Sequence, residues 1–140
     1  MFKNIILLLI LLASSFSKAQ TIVSNWSSNK KLIEINDRIV SDWSTNKKLY
    51  ELNSGVISEW SSNKKRYEIK GGILIDWNTN KKLLEFKDGA IVDWNSNKKL
   101  YEIKKGVISD WSTNKKLYEI KGFYTSDELF LILVGLGLTP

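Results

Sequence analysis

The chain has 140 residues and a formal net charge of +6, and it contains neither cysteine nor histidine. These two absences exclude disulfides, histidine-based acid–base catalysis, His-ligated metals and cysteine nucleophiles. The charge is mildly basic, which suits attraction to anionic surfaces but is no specific signal for nucleic-acid binding.

The first 19 residues have the pattern of a secretory signal peptide. Lys3 provides a positive start, Ile5–Leu12 is an unbroken apolar run, and Ser17-Lys18-Ala19 places small residues where a signal peptidase cleaves. The apolar run is far shorter than the roughly 20 residues that a spanning helix needs. We therefore expect residues 1–19 to be removed and the mature chain, without a transmembrane span, to be exported to the periplasm, the cell surface or the medium.

A 17-residue repeat occupies most of the remaining chain. In the copy Gly55–Gly71, GVISEWSSNKKRYEIKG, two runs rich in β-branched and aromatic residues flank the polar loop Ser61–Lys64. The asparagine in this loop recurs in every copy and is typical of a turn, because Asn tolerates the left-handed backbone region. The pattern predicts six β-hairpins in tandem. One tryptophan marks each copy, at Trp26, Trp43, Trp60, Trp77, Trp94 and Trp111.

Two kinds of turn are expected to join the strands. A tight turn at Ser62-Asn63 would pair Trp60 with Lys65 inside the repeat. Between repeats, the Gly that ends Lys70-Gly71-Gly72 is typical of a three-residue loop closed by a bulge, and Arg38 replaces that Gly at one junction. This register predicts one largely apolar face that must be buried, made of Val56, Ser58, Trp60, Lys65, Tyr67 and Ile69.

We predict an all-β domain over residues 20–122, in which about twelve short antiparallel strands form a closed or strongly curved sheet or barrel. The alternative is a parallel β-solenoid. A solenoid would stack six equivalent lysines directly on one another, and like charges opposite each other on neighbouring strands are destabilising.

Residues 123–140 are expected to be a capping element of the same domain. A capping-box pattern, Thr125–Glu128, precedes the apolar run Leu129–Val134. A twelve-stranded barrel leaves an interior too wide for its own side chains, and a helix that is apolar on every side must be buried. The tail therefore predicts a short helix that caps or plugs the sheet; a thirteenth strand and a membrane-associating tail are the alternatives.

The repeated tryptophans and lysines form the candidate ligand surface. Aromatic faces stack on sugar rings, but burying one Trp contributes up to about 5 kcal/mol, against about 0.5–1 kcal/mol for an exposed cation–π contact. We therefore expect the tryptophans to be mainly structural. The lysines would form a basic rim that keeps sheet edges soluble or binds an anionic polymer. The candidates are the six tryptophans together with Lys30, Lys47, Lys64, Lys81, Lys98 and Lys115.

Carboxylates also recur, before the tryptophan as at Glu59 and in the second strand as at Glu68. A carboxylate pair can serve a glycosidase, but catalysis needs one asymmetric constellation. We therefore expect cross-strand charge pairing and no enzymatic activity. The sequence carries no Gly-rich phosphate loop, calcium-binding loop or nucleophile motif, so we expect no cofactor and no metal.

Departures from the repeat are interpreted as local packing adjustments; they are Arg66, Ile75, Asn78, Leu84, Val92 and Asn95. Together these features predict an exported, non-enzymatic protein that binds a polysaccharide or another cell-envelope component through its repeated Trp, Asn and Lys. The partner would be a glycan or an anionic envelope polymer. The alternative is a structural or protein–protein interaction scaffold without a small ligand.

Overall fold

The computed structural model describes residues 20–140, so the predicted signal peptide lies outside the described residues. The described chain has twelve β-strands and one helix, α1 (Ser126–Gly135). The strands are β1 (Thr21–Asn25), β2 (Lys31–Asn36), β3 (Ile39–Asp42), β4 (Lys48–Asn53), β5 (Val56–Glu59), β6 (Lys65–Lys70), β7 (Ile73–Asp76), β8 (Lys82–Lys87), β9 (Ala90–Asp93), β10 (Lys99–Lys104), β11 (Val107–Asp110) and β12 (Lys116–Lys121).

These strands form a closed antiparallel barrel. Each strand pairs with the strands before and after it in the chain, and the sheet closes where β1 pairs with β12. The closing pair sets Val23 opposite Ile120. The prediction of an all-β barrel of hairpin repeats with a short C-terminal helix is confirmed, and the parallel solenoid is wrong.

Two-residue turns join successive hairpins at one end of the barrel, which we call the short-turn end. Lys70 pairs directly with Ile73, and the intervening Gly71 and Gly72 have φ values of 56° and 76°. Two successive positive φ values define a type I′ turn, whose twist matches the flanking strands. The predicted three-residue bulged loop is wrong. Arg38 is no exception either, because its φ of 62° gives it the same left-handed conformation.

Four-residue loops lie at the other end, which we call the Trp end because a tryptophan begins each loop. In the third hairpin, Asn63 N donates to Glu59 O at 3.0 Å, and Glu59 N donates to Lys64 O at 2.9 Å. Asn63 has a φ of 58°, and its equivalents in the other hairpins are left-handed too, as their recurrence predicts. The predicted two-residue turn at Ser62-Asn63 is wrong, since the loop spans Trp60–Asn63.

The longer loop exchanges the two faces of the first strand in each hairpin. A β-bulge pairs Ser58 with Lys65 and Ile57 with Tyr67, whereas the predicted register paired Ser58 with Tyr67. A one-residue slip moves every side chain of a strand to the opposite face. Ile57 is therefore fully buried, and the first-strand residues predicted for the apolar face point outward. In the second strand Ile69 faces the core, as predicted.

Apolar side chains line the inside of the barrel. The second strands contribute residues such as Leu52, Ile69 and Leu84 to this core. The first strands contribute a central ring of fully buried side chains, one from each hairpin: Val23, Val40, Ile57, Leu74, Ile91 and Ile108.

Helix α1 lies inside the barrel, nearest to β2, β3 and β4. Thr125 Oγ1 accepts a hydrogen bond from Glu128 N at 3.1 Å, and the Glu128 carboxylate accepts one from Thr125 N at 3.4 Å, which completes the predicted capping box. The side chains of Leu129–Val134 are at most 6% exposed. A Cβ added to Gly135 would come within 2.8 Å of Val40, so the helix lies directly against the barrel wall.

The helix runs from the short-turn end to the Trp end. Near its start, Thr21 Oγ1 donates to Phe123 O at 2.6 Å. Beyond its last turn, Tyr67 OH lies 3.3 Å from Thr139 Oγ1, and Pro140 lies beside Trp94. A ten-residue helix rises about 15 Å, close to the length of a four- to six-residue strand. No helix within residues 20–140 is long and apolar enough to cross a membrane.

Truncating a helix side chain tests this arrangement. We expect Phe130→Ala to lower the free energy of unfolding by about 3–5 kcal/mol, because the side chain is fully buried between helix and barrel. Phe123→Ala is the matched control: Phe123 is 78% exposed, so its truncation should change the free energy by less than about 0.5 kcal/mol. Urea unfolding followed by circular dichroism measures both, and equal small effects would contradict a buried α1.

Candidate functional site

Six tryptophans encircle the Trp end, and we call this set the Trp belt: Trp26, Trp43, Trp60, Trp77, Trp94 and Trp111. Each is anchored by its backbone, as where Trp60 N donates to Leu49 O of the preceding hairpin at 3.0 Å. The equivalent bond occurs in all six hairpins at 2.9–3.0 Å, and Trp26 reaches Leu117 to close the circle. Every indole is therefore held against the hairpin that precedes it around the barrel.

A lysine of that preceding hairpin covers each indole ring. The Lys48 Nζ lies 4.4 Å from the centre of the Trp60 ring, and all six distances fall between 4.4 and 4.8 Å. A cation–π contact at an exposed site contributes about 0.5–1 kcal/mol. The pairs are Lys31–Trp43, Lys48–Trp60, Lys65–Trp77, Lys82–Trp94, Lys99–Trp111 and Lys116–Trp26.

The indoles are partly exposed and lie outside the buried core, so the full burial that favoured a mainly structural role is absent. Their exposed fractions run from 36% for Trp26 to 42% for Trp94, and Trp43 is somewhat more buried. The physical reason is the four-residue loop, which brings the tryptophan to the outer face of the strand that it follows.

The lysines that cover the rings are the second of each Lys-Lys pair, whereas the candidates from the sequence were the first. The predicted Lys47 lies exposed in its loop, where its backbone N–H donates to Thr45 Oγ1 at 3.3 Å, and the next residue, Lys48, covers Trp60. The first lysines of the other pairs (Lys30, Lys64, Lys81, Lys98 and Lys115) are likewise exposed. In five of the six pairs the contacting lysine precedes its tryptophan by twelve residues, and in the sixth Lys116 reaches Trp26 across the closure of the barrel. This separation could be recognised only once both turn lengths were known.

On the outer wall, each lysine that covers an indole has further side chains beside it on the neighbouring strands. Ser41 pairs with Glu34 on one side and with Lys48 on the other, and Lys48 covers Trp60. The same order recurs in every hairpin, because the pairing is the same in every hairpin. Each unit therefore presents a carboxylate, then Ser (Ile75 and Val92 in the fourth and fifth hairpins), then an ammonium group and an aromatic ring.

The carboxylates that precede the tryptophans close the loops. Asp42 Oδ1 accepts hydrogen bonds from Ser44 Oγ at 2.7 Å, Thr45 N at 2.9 Å and Thr45 Oγ1 at 3.0 Å. These bonds, that of Ser44 above all, hold the pKa of Asp42 below its usual value. Cross-strand charge pairing is present at Glu59, 3.4 Å from Arg66, and at Asp76 the loop hydrogen bonds from Thr79 lower the pKa most, with a smaller contribution from Arg66. Loop hydrogen bonds lower the pKa in the same way at Asp76, Asp93 and Asp110.

Open grooves lie between neighbouring units of the outer wall. One groove of about 450 Å³ has polar and charged side chains along it, including Glu34, Ser41, Asn46 and Lys48. The equivalent groove three hairpins further round has about 270 Å³ and is lined by Glu85, Val92, Trp94 and Asn97. Carboxylates and amides beside an indole are groups that hydrogen-bond to hydroxyls while the ring packs against an apolar face.

Within residues 20–140, no three His, Cys, Asp or Glu side chains are grouped so that they could hold a metal ion. Comparisons with protein-family models, curated proteins and solved structures found no match to this chain. The function therefore has to be argued from the surface itself.

The loop carboxylates predict a specific response to acid. A carboxyl group whose pKa is lowered by folding stabilises the protein above its unfolded pKa, and this stabilisation is lost as the pH falls through the folded pKa. For these aspartates the loss should occur below the ordinary value of 3.8. We expect the quadruple variant Asp42→Asn, Asp76→Asn, Asp93→Asn, Asp110→Asn to lose less stability between pH 4 and pH 2 than the unmodified protein.

Asparagine is the appropriate replacement because Asn25 already occupies this position in the first hairpin. Asn25 Oδ1 accepts the equivalent bonds from Ser27 and Ser28. The variant should therefore keep its fold at pH 7. Urea midpoints at pH 7, 4 and 2 measure both effects, and parallel pH profiles for the two proteins would contradict the assignment.

Proposed function

We propose that the protein is an exported, non-enzymatic binding module that holds a polysaccharide of the cell envelope along its Trp belt. The observation that carries this proposal is the circle of six partly exposed indoles, each beside a lysine ammonium group. Export is supported by the signal-like sequence of residues 1–19.

The side chains around the belt suit a carbohydrate. An indole offers a flat apolar surface to the C–H face of a sugar ring, and the groove beside it offers carboxylates and amides, such as Glu34 and Asn46, to the hydroxyls. The covering lysines add positive charge, so an acidic sugar gains electrostatic attraction that a neutral one lacks.

The spacing of the units favours a polymer. Equivalent residues in neighbouring hairpins are two strands apart, which places them at about 10 Å intervals. This interval is comparable to one disaccharide unit of an extended polysaccharide. One chain that follows the rim can therefore contact several units, and multivalent contact converts weak single contacts into stable binding.

An interaction scaffold without a small ligand is the second candidate. It is favoured by the fact that a lysine already occupies one side of each ring, as Lys48 does over Trp60. In that case the cation–π circle would serve to fix neighbouring hairpins to one another. Polysaccharide binding by the unmodified protein is the result that separates the two candidates.

A charge-matched pair of variants tests the proposal. The measurement is retention of two triple variants in gels that contain polygalacturonate. The belt variant carries Lys31→Gln, Lys48→Gln and Lys65→Gln. The second variant carries Lys87→Gln, Lys104→Gln and Lys105→Gln, at or beside the short-turn end. Each Lys→Gln change removes one exposed ammonium group that can pair with a carboxylate of the polymer, a contact of about 0.2–1 kcal/mol. Loss of three such contacts should weaken retention by the belt variant at least about threefold. The second variant, which has the same net charge, should behave like the unmodified protein. Equal losses, or no retention of the unmodified protein by acidic or neutral polysaccharides, would overturn the proposal.

A further inference from the structure

Two neighbouring hairpins differ from the other four at the same two positions around the belt. Two residues before the tryptophan, four hairpins have Ser, whereas the fourth and fifth have Ile75 and Val92. Directly after the tryptophan, the same four hairpins have Ser, whereas the fourth and fifth have Asn78 and Asn95. Both positions flank an indole, so the substitutions change the surroundings of Trp77 and Trp94 in a coordinated way.

On the strand side, the change replaces a hydroxyl by an aliphatic group. Val92 pairs with Glu85 and Lys99, so it lies on the outer wall of the barrel. Val92 is only 7% exposed and lines the groove beside Trp94. It therefore extends the apolar surface of the indole, where Ser41 in the opposite hairpin would offer a hydroxyl.

On the loop side, the change supplies an amide. The hydroxyls of Ser44 and Ser112 each donate to the aspartate of their own loop at 2.7 Å. In the fifth hairpin the hydroxyl that donates to Asp93 is that of Ser96, the equivalent of Thr45 and Thr113, and the Asn95 side chain makes no hydrogen bond to any other residue of the described chain. Asn95 thus has both donor and acceptor groups available beside Trp94.

Trp94 lies between two depressions of the surface. The groove of about 270 Å³ on one side contains Glu85, Val92 and Asn97. On the other side, at the mouth of the barrel, a cleft of about 530 Å³ is lined by Lys81, Lys82, Leu83, Asp93, Asn95 and Pro140. With 42% of its surface exposed, Trp94 is also the most accessible indole of the belt. A ligand on this ring can be contacted from both sides.

We propose that Trp94 is the primary subsite of the belt and binds one hexuronate residue of an acidic polysaccharide. The sugar ring packs on Trp94 and Val92, its carboxylate lies toward the ammonium groups of Lys81 and Lys82, and its hydroxyls bind Asn95 and the groove. The cleft holds Lys81 and Lys82 with one acidic side chain, Asp93, which is bonded to Ser96, whereas the groove on the other side holds Glu85, so the cleft is the side that attracts a sugar carboxylate. This inference rests on the proposed function and replaces six equivalent sites by one dominant site.

The test uses tetragalacturonate, which is too short to follow the rim, and measures its affinity by calorimetry. We expect Trp94→Ala to weaken binding about tenfold, the loss of roughly 1.4 kcal/mol. Trp43→Ala, three hairpins away on the opposite side, should change the affinity less than twofold. A neutral tetrasaccharide of glucose should bind at least fivefold more weakly than tetragalacturonate.

A second pair of variants keeps every tryptophan and therefore does not depend on the fold tolerating a Trp→Ala change. Val92→Ser, Asn95→Ser restores the common repeat residues and should weaken binding at least threefold. Ser41→Val, Ser44→Asn transfers the two residues to the opposite hairpin and should leave the original site intact.

The outcomes distinguish this inference from the proposed function. If Trp94→Ala and Trp43→Ala weaken binding equally, or if Val92→Ser, Asn95→Ser has no effect, the dominant subsite is overturned while belt binding stands. If the protein retains polygalacturonate but does not bind the tetrasaccharide, the subsite is likewise overturned. If it binds neither, both proposals fail.

Discussion

The width of a twelve-stranded barrel is the constraint on which the rest of this structure depends. Eight strands enclose a space that side chains can fill, but twelve enclose more than the short apolar residues lining this barrel can occupy. The remaining space is occupied by α1, whose side chains from Leu129 to Val134 are buried in the same core as the central ring of first-strand side chains. Helix and barrel therefore stabilise each other: the apolar segment of the helix has to be enclosed, and the space inside the barrel has to be filled. The close approach of Gly135 to Val40 shows how little space remains.

Because α1 occupies the inside of the barrel, the outer wall and the Trp end are the surfaces that can meet a partner. The outer wall repeats a carboxylate, a lysine and an indole around a closed circle, so no unit lies at an edge. Each cation–π pair also links one hairpin to the next, which makes the belt both a binding surface and a structural bond. The proposed dominance of Trp94 depends on the places where the repeat is imperfect, since a perfectly regular circle would offer six equal sites.

The sequence predicts the strands, the hairpins and the helix because each has a local signal: the 17-residue period, the left-handed Asn of each loop, and the capping box at Thr125. It does not predict the register, because the period fixes only the summed length of strands and turns. The structure has two-residue turns between hairpins and four-residue loops within them, whereas the sequence suggests three-residue turns and tight loops. The difference shifts the pairing of the first strand by one residue. That slip moves Ile57 into the core and Ser58 to the surface. The contact of Lys48 with Trp60 depends on both turns, so it could not be found in either repeat alone.

The most direct test of the enclosed helix is hydrogen–deuterium exchange of individual backbone amides. If α1 lies inside the barrel, the amides of its last turns, such as Ile132–Val134, can exchange only when the barrel opens. Their free energies of exchange should equal those of central strand residues such as Ile57 and Ile91, near the global free energy of unfolding. Exchange of the helix amides within seconds, while the strand amides stay protected, would show that α1 leaves the barrel independently and would contradict this account.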